Sequence, residues 1–198
     1  MKGKLFVLSG PSGVGKNTIL NRVIAASDHV RYSVSATSRQ SRPGEVDGSS
    51  YYFVSRERFE EMIAQDELLE YAEYVGNYYG TPLAPIREAM KNGFDIVMDV
   101  EVIGAKKIKA RVPEAVLVFV ATSSLDAVRQ RLIARGDVSP EAMEERLKRA
   151  VWECSQAEGY DYIVLNDDVD HAVRELRAIM VAEKCKTVER IHLLKEEF

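Results

Sequence analysis

The sequence predicts an α/β fold, a parallel sheet with helices on both faces, and three observations predict it. Leu5-Phe6-Val7-Leu8 is an apolar run of strand length, and a glycine-rich turn joins it to Ile19, Leu20, Val23 and Ile24 at helical spacing. Further apolar runs, Phe94 to Val100, Ala115 to Ala121 and Tyr162 to Leu165, alternate with segments of helical periodicity, the order a parallel sheet requires. Residues 33 to 81 interrupt that alternation with short β-prone stretches, which marks an inserted lobe of about 50 residues.

In chain order, the first helix gives way at Asp28 to Tyr32 to a segment that is β-prone at both ends, with turns at Pro43-Gly44 and Asp47-Gly48. Residues 56 to 66 carry Phe59, Met62 and Ile63 on one helical face, and residues 68 to 75 read as a strand followed by a Gly76-Asn77 turn. Pro82 to Asn92 predicts a helix stopped by Gly93. A strand then ends in Asp99 and Glu101, a basic helix spans residues 103 to 111, and Ala115 to Ala121 is a buried strand. Ser124 to Arg135 is helical, Gly136-Asp137 breaks it, and Pro140 takes the favoured first position of the next helix. After the Tyr162 to Leu165 strand come an Asn166-Asp167-Asp168 turn and an amphipathic helix over residues 170 to 186, and the tail 187 to 198 either continues that helix or runs free.

With 198 residues the chain can bury a full core, and its net charge of −4 supplies no positive field for nucleic acid. No apolar run reaches the roughly 20 residues of a membrane helix, and no signal-peptide pattern opens the chain. Cys154 and Cys185 have no metal-ligand spacing and read as reduced thiols of a cytoplasmic protein.

Gly10-Pro11-Ser12-Gly13-Val14-Gly15-Lys16 matches a phosphate-binding loop, or P-loop, in its first seven positions, between a strand and a helix. Its glycines let successive N–H groups turn inward, the helix start adds positive potential, and Lys16 reaches the β- and γ-phosphates of a nucleoside triphosphate. The eighth position, where a Ser or Thr hydroxyl would hold Mg²⁺, is Asn17; its amide oxygen or the Thr18 hydroxyl is the candidate replacement. In the inserted lobe, Ser35, Arg39, Arg42 and Tyr51 can wrap a phosphate, and Tyr78-Tyr79-Gly80-Thr81 adds further donors. Glu70 can grip a base edge with two adjacent donors, as guanine has, and Thr81 can donate to guanine O6. Asp99 and Glu101 stand at a strand's C-terminal end, where open α/β sheets place ligands, and can hold Mg²⁺, directly or through water, or bind a ribose. Arg131, Arg135 and Arg146 lie on two helices that could close over a triphosphate, where positive charge lowers the barrier to phosphoryl transfer.

These segments resemble the bacterial-type guanylate kinases over nearly the whole chain. The matches are Ser9-Gly10-Pro11-Ser12-Gly13-Val14-Gly15-Lys16, Ser33-Val34-Ser35-Ala36-Thr37-Ser38-Arg39, Arg42-Pro43-Gly44-Glu45-Val46-Asp47-Gly48, Gly76-Asn77-Tyr78-Tyr79-Gly80, Arg135-Gly136 and Asn166-Asp167-Asp168. The resemblance implies a P-loop core (residues 1–32, 82–122 and 151–198), a GMP-binding lobe (33–81) and a helical lid (123–150). It implies that Ser35, Arg39, Arg42, Tyr51 and Tyr79 hold the GMP phosphate, that Glu70 and Thr81 read guanine, and that Asp99 helps hold the nucleoside. It further implies that Arg135 and Arg146 reach over ATP with Lys16, and that Asn166 contacts adenine. The implied reaction moves the γ-phosphoryl of ATP to GMP or dGMP with Mg²⁺, giving ADP and GDP in purine nucleotide metabolism and GMP recycling. Asn17, in place of a Ser, and Ile103, where a Gln is common, depart from the pattern. The rival reading is a guanylate-kinase-like module that binds phosphopeptide without catalysis; the intact loop glycines and Lys16 favour the enzyme.

Overall fold

The computed structural model describes residues 2–135 and 140–195. The chain forms two compact units, one of Met1–Leu8 with Asp28–Leu117, the other of Ser9–Ser27 with Val118–Phe198. The strands are β1 (Leu5–Ser9), β2 (Val30–Tyr32), β3 (Ala36–Thr37), β4 (Tyr52–Phe53), β5 (Leu68–Tyr74), β6 (Asn77–Pro82), β7 (Asp95–Asp99), β8 (Val116–Ala121) and β9 (Tyr162–Leu165). The helices are α1 (Lys16–Ala25), α2 (Arg56–Ala64), α3 (Leu83–Lys91), α4 (Val102–Arg111), α5 (Leu125–Arg135), α6 (Pro140–Cys154), α7 (Val169–Cys185) and α8 (Thr187–Lys195).

In the first unit β2, β7 and β1 run parallel, with Leu5 opposite Ile96 and Tyr32 opposite Val97. Because β1 is buried along its length and β7 from Asp95 to Met98, both faces of the sheet are covered there, as the apolar residues Leu5–Leu8 and Ile96–Met98 require. In the second unit β9 pairs parallel with β8, from Val118 opposite Tyr162 to Ala121 opposite Leu165. The α/β expectation, parallel strands with flanking helices, is thus met.

The interrupting lobe has its own sheet, in the order β4-β3-β6-β5. Phe59 and Met62 of α2, with Ala36 and Leu68, form its core, and the Phe59 ring stacks on Tyr78 at 5.2 Å. α2 begins at Ser55, whose hydroxyl accepts from the Arg58 N–H at 3.1 Å. The hairpin turn is Val75-Gly76 rather than Gly76-Asn77: both have positive φ, 49° and 71°, as a type I′ turn needs, and Asn77 already belongs to β6. The tail does not continue α7; a separate helix, α8, follows it. The Gly136-Asp137 break lies outside the described residues.

Candidate active site

The turn after β1 is shaped by two glycines that no other residue could replace without strain. A Cβ on Gly10 (φ +138°) would stand 2.0 Å from the Val120 carbonyl oxygen, and one on Gly15 (φ +89°) would stand 2.5 Å from Asn166 Nδ2. Gly15 is also the N-cap of α1, which has neither a side-chain cap nor an acid in its first turn, and the helix start adds positive potential there. α7 shows the contrast: the Asp168 carboxylate takes the His171 N–H at 2.7 Å. Lys16 Nζ donates to the carbonyls of Gly10 (2.6 Å) and Pro11 (3.2 Å), folding its charge over the loop. Asn17 and Thr18 are exposed in the first turn of α1. No group of three or more His, Cys, Asp or Glu able to hold a metal occurs among the described residues.

The loop is braced from behind. The Val14 carbonyl accepts from Arg131 Nη1 at 2.9 Å and from Asn166 Nδ2 at 2.7 Å, and Arg131 Nη2 donates to the Asn166 carbonyl at 2.6 Å. Asn166 is 3% exposed, and its Oδ1 has no hydrogen-bond partner among the described residues. Its side-chain amide is thus committed to the P-loop, a bracing role that the sequence did not indicate. Arg131→Ala removes two hydrogen bonds from a charged donor, and we expect denaturant titration to show a loss of about 2 kcal/mol. Arg146 lies half-buried on α6. Arg135 ends α5, and its side chain lies outside the described residues.

In the first unit a cavity of about 340 Å³ is lined by Ser35, Tyr51, Glu70, Tyr79 and Asp99, five of the residues expected there, together with Lys107 and others. Thr81 lies just beneath, 1% exposed, its hydroxyl donating to Glu70 Oε1 at 2.8 Å. Burial raises the Glu70 pKa, while the Thr81 donation and the Lys107 charge oppose the rise. α4 packs against β5, and a Cβ on Gly104 would come 3.8 Å from Glu70 Oε2. Ile103, 56% exposed, is an apolar part of the lining.

Arg39 and Arg42 are not among the lining residues. Arg39 lies beside the rings of Tyr51 and Phe53, 5.1 and 5.6 Å from their centroids. Its guanidinium makes a two-pronged bond to Glu45, Nη1 to Oε2 at 2.7 Å and Nη2 to Oε1 at 2.6 Å. Arg42 is exposed, with its backbone N–H donating to Glu45 Oε2 at 2.8 Å. Held by the Arg39 hydrogen bonds and then by that N–H, the Glu45 pKa falls to about 2. A second partner went unforeseen: Tyr32 donates its phenol proton to Asp99 Oδ1 at 2.6 Å, and burial, reinforced by the Asp99 charge, raises the phenol's pKa.

The family model described as Guanylate kinase matches residues 2–183. The guanylate kinase of Symbiobacterium thermophilum is 49% identical over 187 residues, 94% of this chain and 89% of that one. That of Halalkalibacterium halodurans is 48% identical over 198 residues, 98% and 97% of the two chains. The crystal structure of guanylate kinase from Anaplasma phagocytophilum superposes with a TM-score of 0.75 at 31% identity, covering 99% of this chain and 95% of that one. A P-loop with its lysine in one unit and a cavity around Glu70 in the other are therefore found in a chain that belongs to the guanylate kinase family and is a kinase.

Proposed function

We propose that the protein transfers the γ-phosphoryl group of ATP to GMP, and also to dGMP. The bond from the γ-phosphorus to the β,γ-bridging oxygen breaks, a bond to a GMP phosphate oxygen forms, and ADP and GDP leave. The observation that carries the reading is the Glu70–Thr81 pair on the cavity, a carboxylate fixed by a buried hydroxyl at 2.8 Å. Guanine offers N1–H and its 2-amino group side by side, and a carboxylate accepts from both; adenine has an acceptor at N1 and is mismatched. On this reading Ser35, Tyr51 and Tyr79, with Arg39 and Arg42 behind them, take the GMP phosphate, and Asp99, steadied by Tyr32, takes the ribose.

Lys16 and the backbone of residues 10–15 take the triphosphate. Arg135 and Arg146, on the lid assigned to residues 123–150, neutralise the charge that spreads over the transferred group. Residues 33–81 act as the GMP lobe and the remainder as the core. Mg²⁺ fits the exposed oxygens of Asn17 and Thr18: Mg²⁺ keeps several waters, takes phosphate oxygens from its nucleotide, and needs only one or two protein oxygens. When bound it offsets phosphate charge. We place the activity in purine nucleotide metabolism and GMP recycling in the cytoplasm, without nucleic-acid or membrane partners. The supporting observations are the net charge of −4 and, among the described residues, no helix long and apolar enough to cross a membrane.

The test is ADP release from ATP and Mg²⁺ with each of GMP, AMP, CMP and UMP. Release with GMP alone is expected. Silence with GMP, in folded protein that still binds it, would favour the phosphopeptide-binding module.

A further inference from the structure

We propose that Glu45 is a positioning residue of the phosphate site, holding Arg39 by one edge of its guanidinium so that the other edge meets the phosphate of the bound nucleotide. The inference rests on reading the cavity as a GMP site.

A guanidinium has two forks of paired N–H donors, Nη1 with Nη2 at its end and Nε with Nη2 at its side. Glu45 fills the end fork, at 2.7 and 2.6 Å, and the Gln40 carbonyl takes the other Nη1 proton at 2.8 Å. Among the described residues no carboxylate or carbonyl takes the side fork. The polar neighbour that remains is Tyr79, whose phenol helps to raise the Arg39 pKa and whose side chain lines the cavity. Arg39 therefore has a second two-pronged edge, suited to a phosphate, next to a cavity-lining phenol.

Glu45 is also not placed to step aside. Its carboxylate takes the Arg42 N–H at 2.8 Å, and its own N–H donates to the Arg42 carbonyl at 3.0 Å, so withdrawing it would open the turn it closes. The Arg39 side chain is 12% exposed, lying beside two rings. A long, rotamer-rich side chain is thereby ordered before substrate arrives, and the ordering cost is removed from the binding step. The ion pair is neutral as a whole, so Glu45 supplies geometry, and the net positive charge comes from Arg42.

The opposite possibility is that Glu45 imitates the phosphate and competes with it. The two differ in sign. Calorimetry with guanosine and GMP on the full chain measures what the phosphate adds, as the ratio of the two dissociation constants. We expect Glu45→Gln, which keeps the acceptor for Arg42, to shrink that ratio about tenfold with guanosine binding unchanged. KM for GMP should rise, with kcat and KM for ATP unchanged. In an Arg39→Ala background, the same substitution should leave the ratio where Arg39→Ala alone puts it. A larger ratio in Glu45→Gln, an unchanged one, or an equal loss without Arg39 would overturn the proposal. Failure of the wild type to bind GMP more tightly than guanosine would instead overturn the GMP reading itself.

Discussion

Replacing Lys16 by Met is expected to lower kcat about 10³-fold, the scale of removing one fixed positive group from a phosphoryl-transfer site. The ammonium already sits over the loop, 2.6 Å from the Gly10 carbonyl and 3.2 Å from that of Pro11. Those two carbonyls hold it at the loop until phosphate oxygens, which carry full charge, replace them as acceptors. Met keeps the length and apolar stem of Lys and removes the charge, so the fold has no reason to change. ATP binding should suffer less than turnover. The backbone N–H groups of residues 12–15 remain, as does the start of α1, whose dipole contributes roughly half a positive charge. The charge that Lys16 meets grows as the β,γ bond breaks, so its loss falls mainly on the transition state. GMP affinity should not move on the proposed reading, because no P-loop residue lines the cavity around Glu70. Single-turnover kinetics with calorimetry of each nucleotide would separate these quantities. A kcat within about tenfold of wild type would remove Lys16 from the chemistry.

The same loop shows why so much of the fold was legible. Gly10, Gly13, Gly15 and Lys16 are fixed by local geometry: positive φ and a 2.0 Å approach to Val120 admit glycine alone, so the pattern is written in consecutive residues. β7 and β9 were legible from their apolar residues, Ile96–Met98 and Tyr162–Leu165, and β5 from Leu68, Leu69, Tyr71 and Tyr74 ahead of a glycine turn. Two strands were not. β2 is three residues, Val-Arg-Tyr, and is a strand only because β7 lies beside it; β6 contains Gly80 and ends in Pro82, and owes its form to β3 and β5 on either side. The candidate site divides along the same line. Residue types that announce their chemistry, such as Arg39, Tyr51 and Tyr79, could be picked out. Partners that act through register could not. Tyr32 meets Asp99 because it lies opposite Val97 in the parallel pairing, two residues short of Asp99 on the same face. Glu45 is one of 31 acidic residues, in a turn that Pro43-Gly44 already explains, and only the folded lobe shows it gripping Arg39. Asn166 was expected to contact adenine, and its bond to the Val14 carbonyl was not legible, because the two residues lie far apart in the sequence.

Replacing Glu70 by Gln is expected to raise KM for GMP about 100-fold and to narrow the preference for GMP over AMP. The carboxylate presents two acceptors to the two guanine donors, whereas the amide turns one of them into a donor that opposes a donor. Thr81 can still donate to the remaining oxygen, so the pocket keeps its shape. Stability should move the other way. Burial raises the Glu70 pKa, so ionisation is disfavoured in the folded state. Below the unfolded value of about 4.3 the group is protonated in both states and costs nothing. As pH rises through the higher folded value the penalty develops in full, so the wild type without nucleotide loses stability over that range and Gln does not. The variant should therefore melt higher than wild type at pH 8, and the difference should vanish near pH 4. Binding has the complementary dependence: GMP needs the ionised carboxylate, so wild-type affinity should fall as pH drops through the raised Glu70 pKa, and the variant should lose that step. A variant that rejects AMP as strongly as wild type would show that another group reads the base. Lower stability at pH 8 would instead show that the Thr81 and Lys107 interactions outweigh burial.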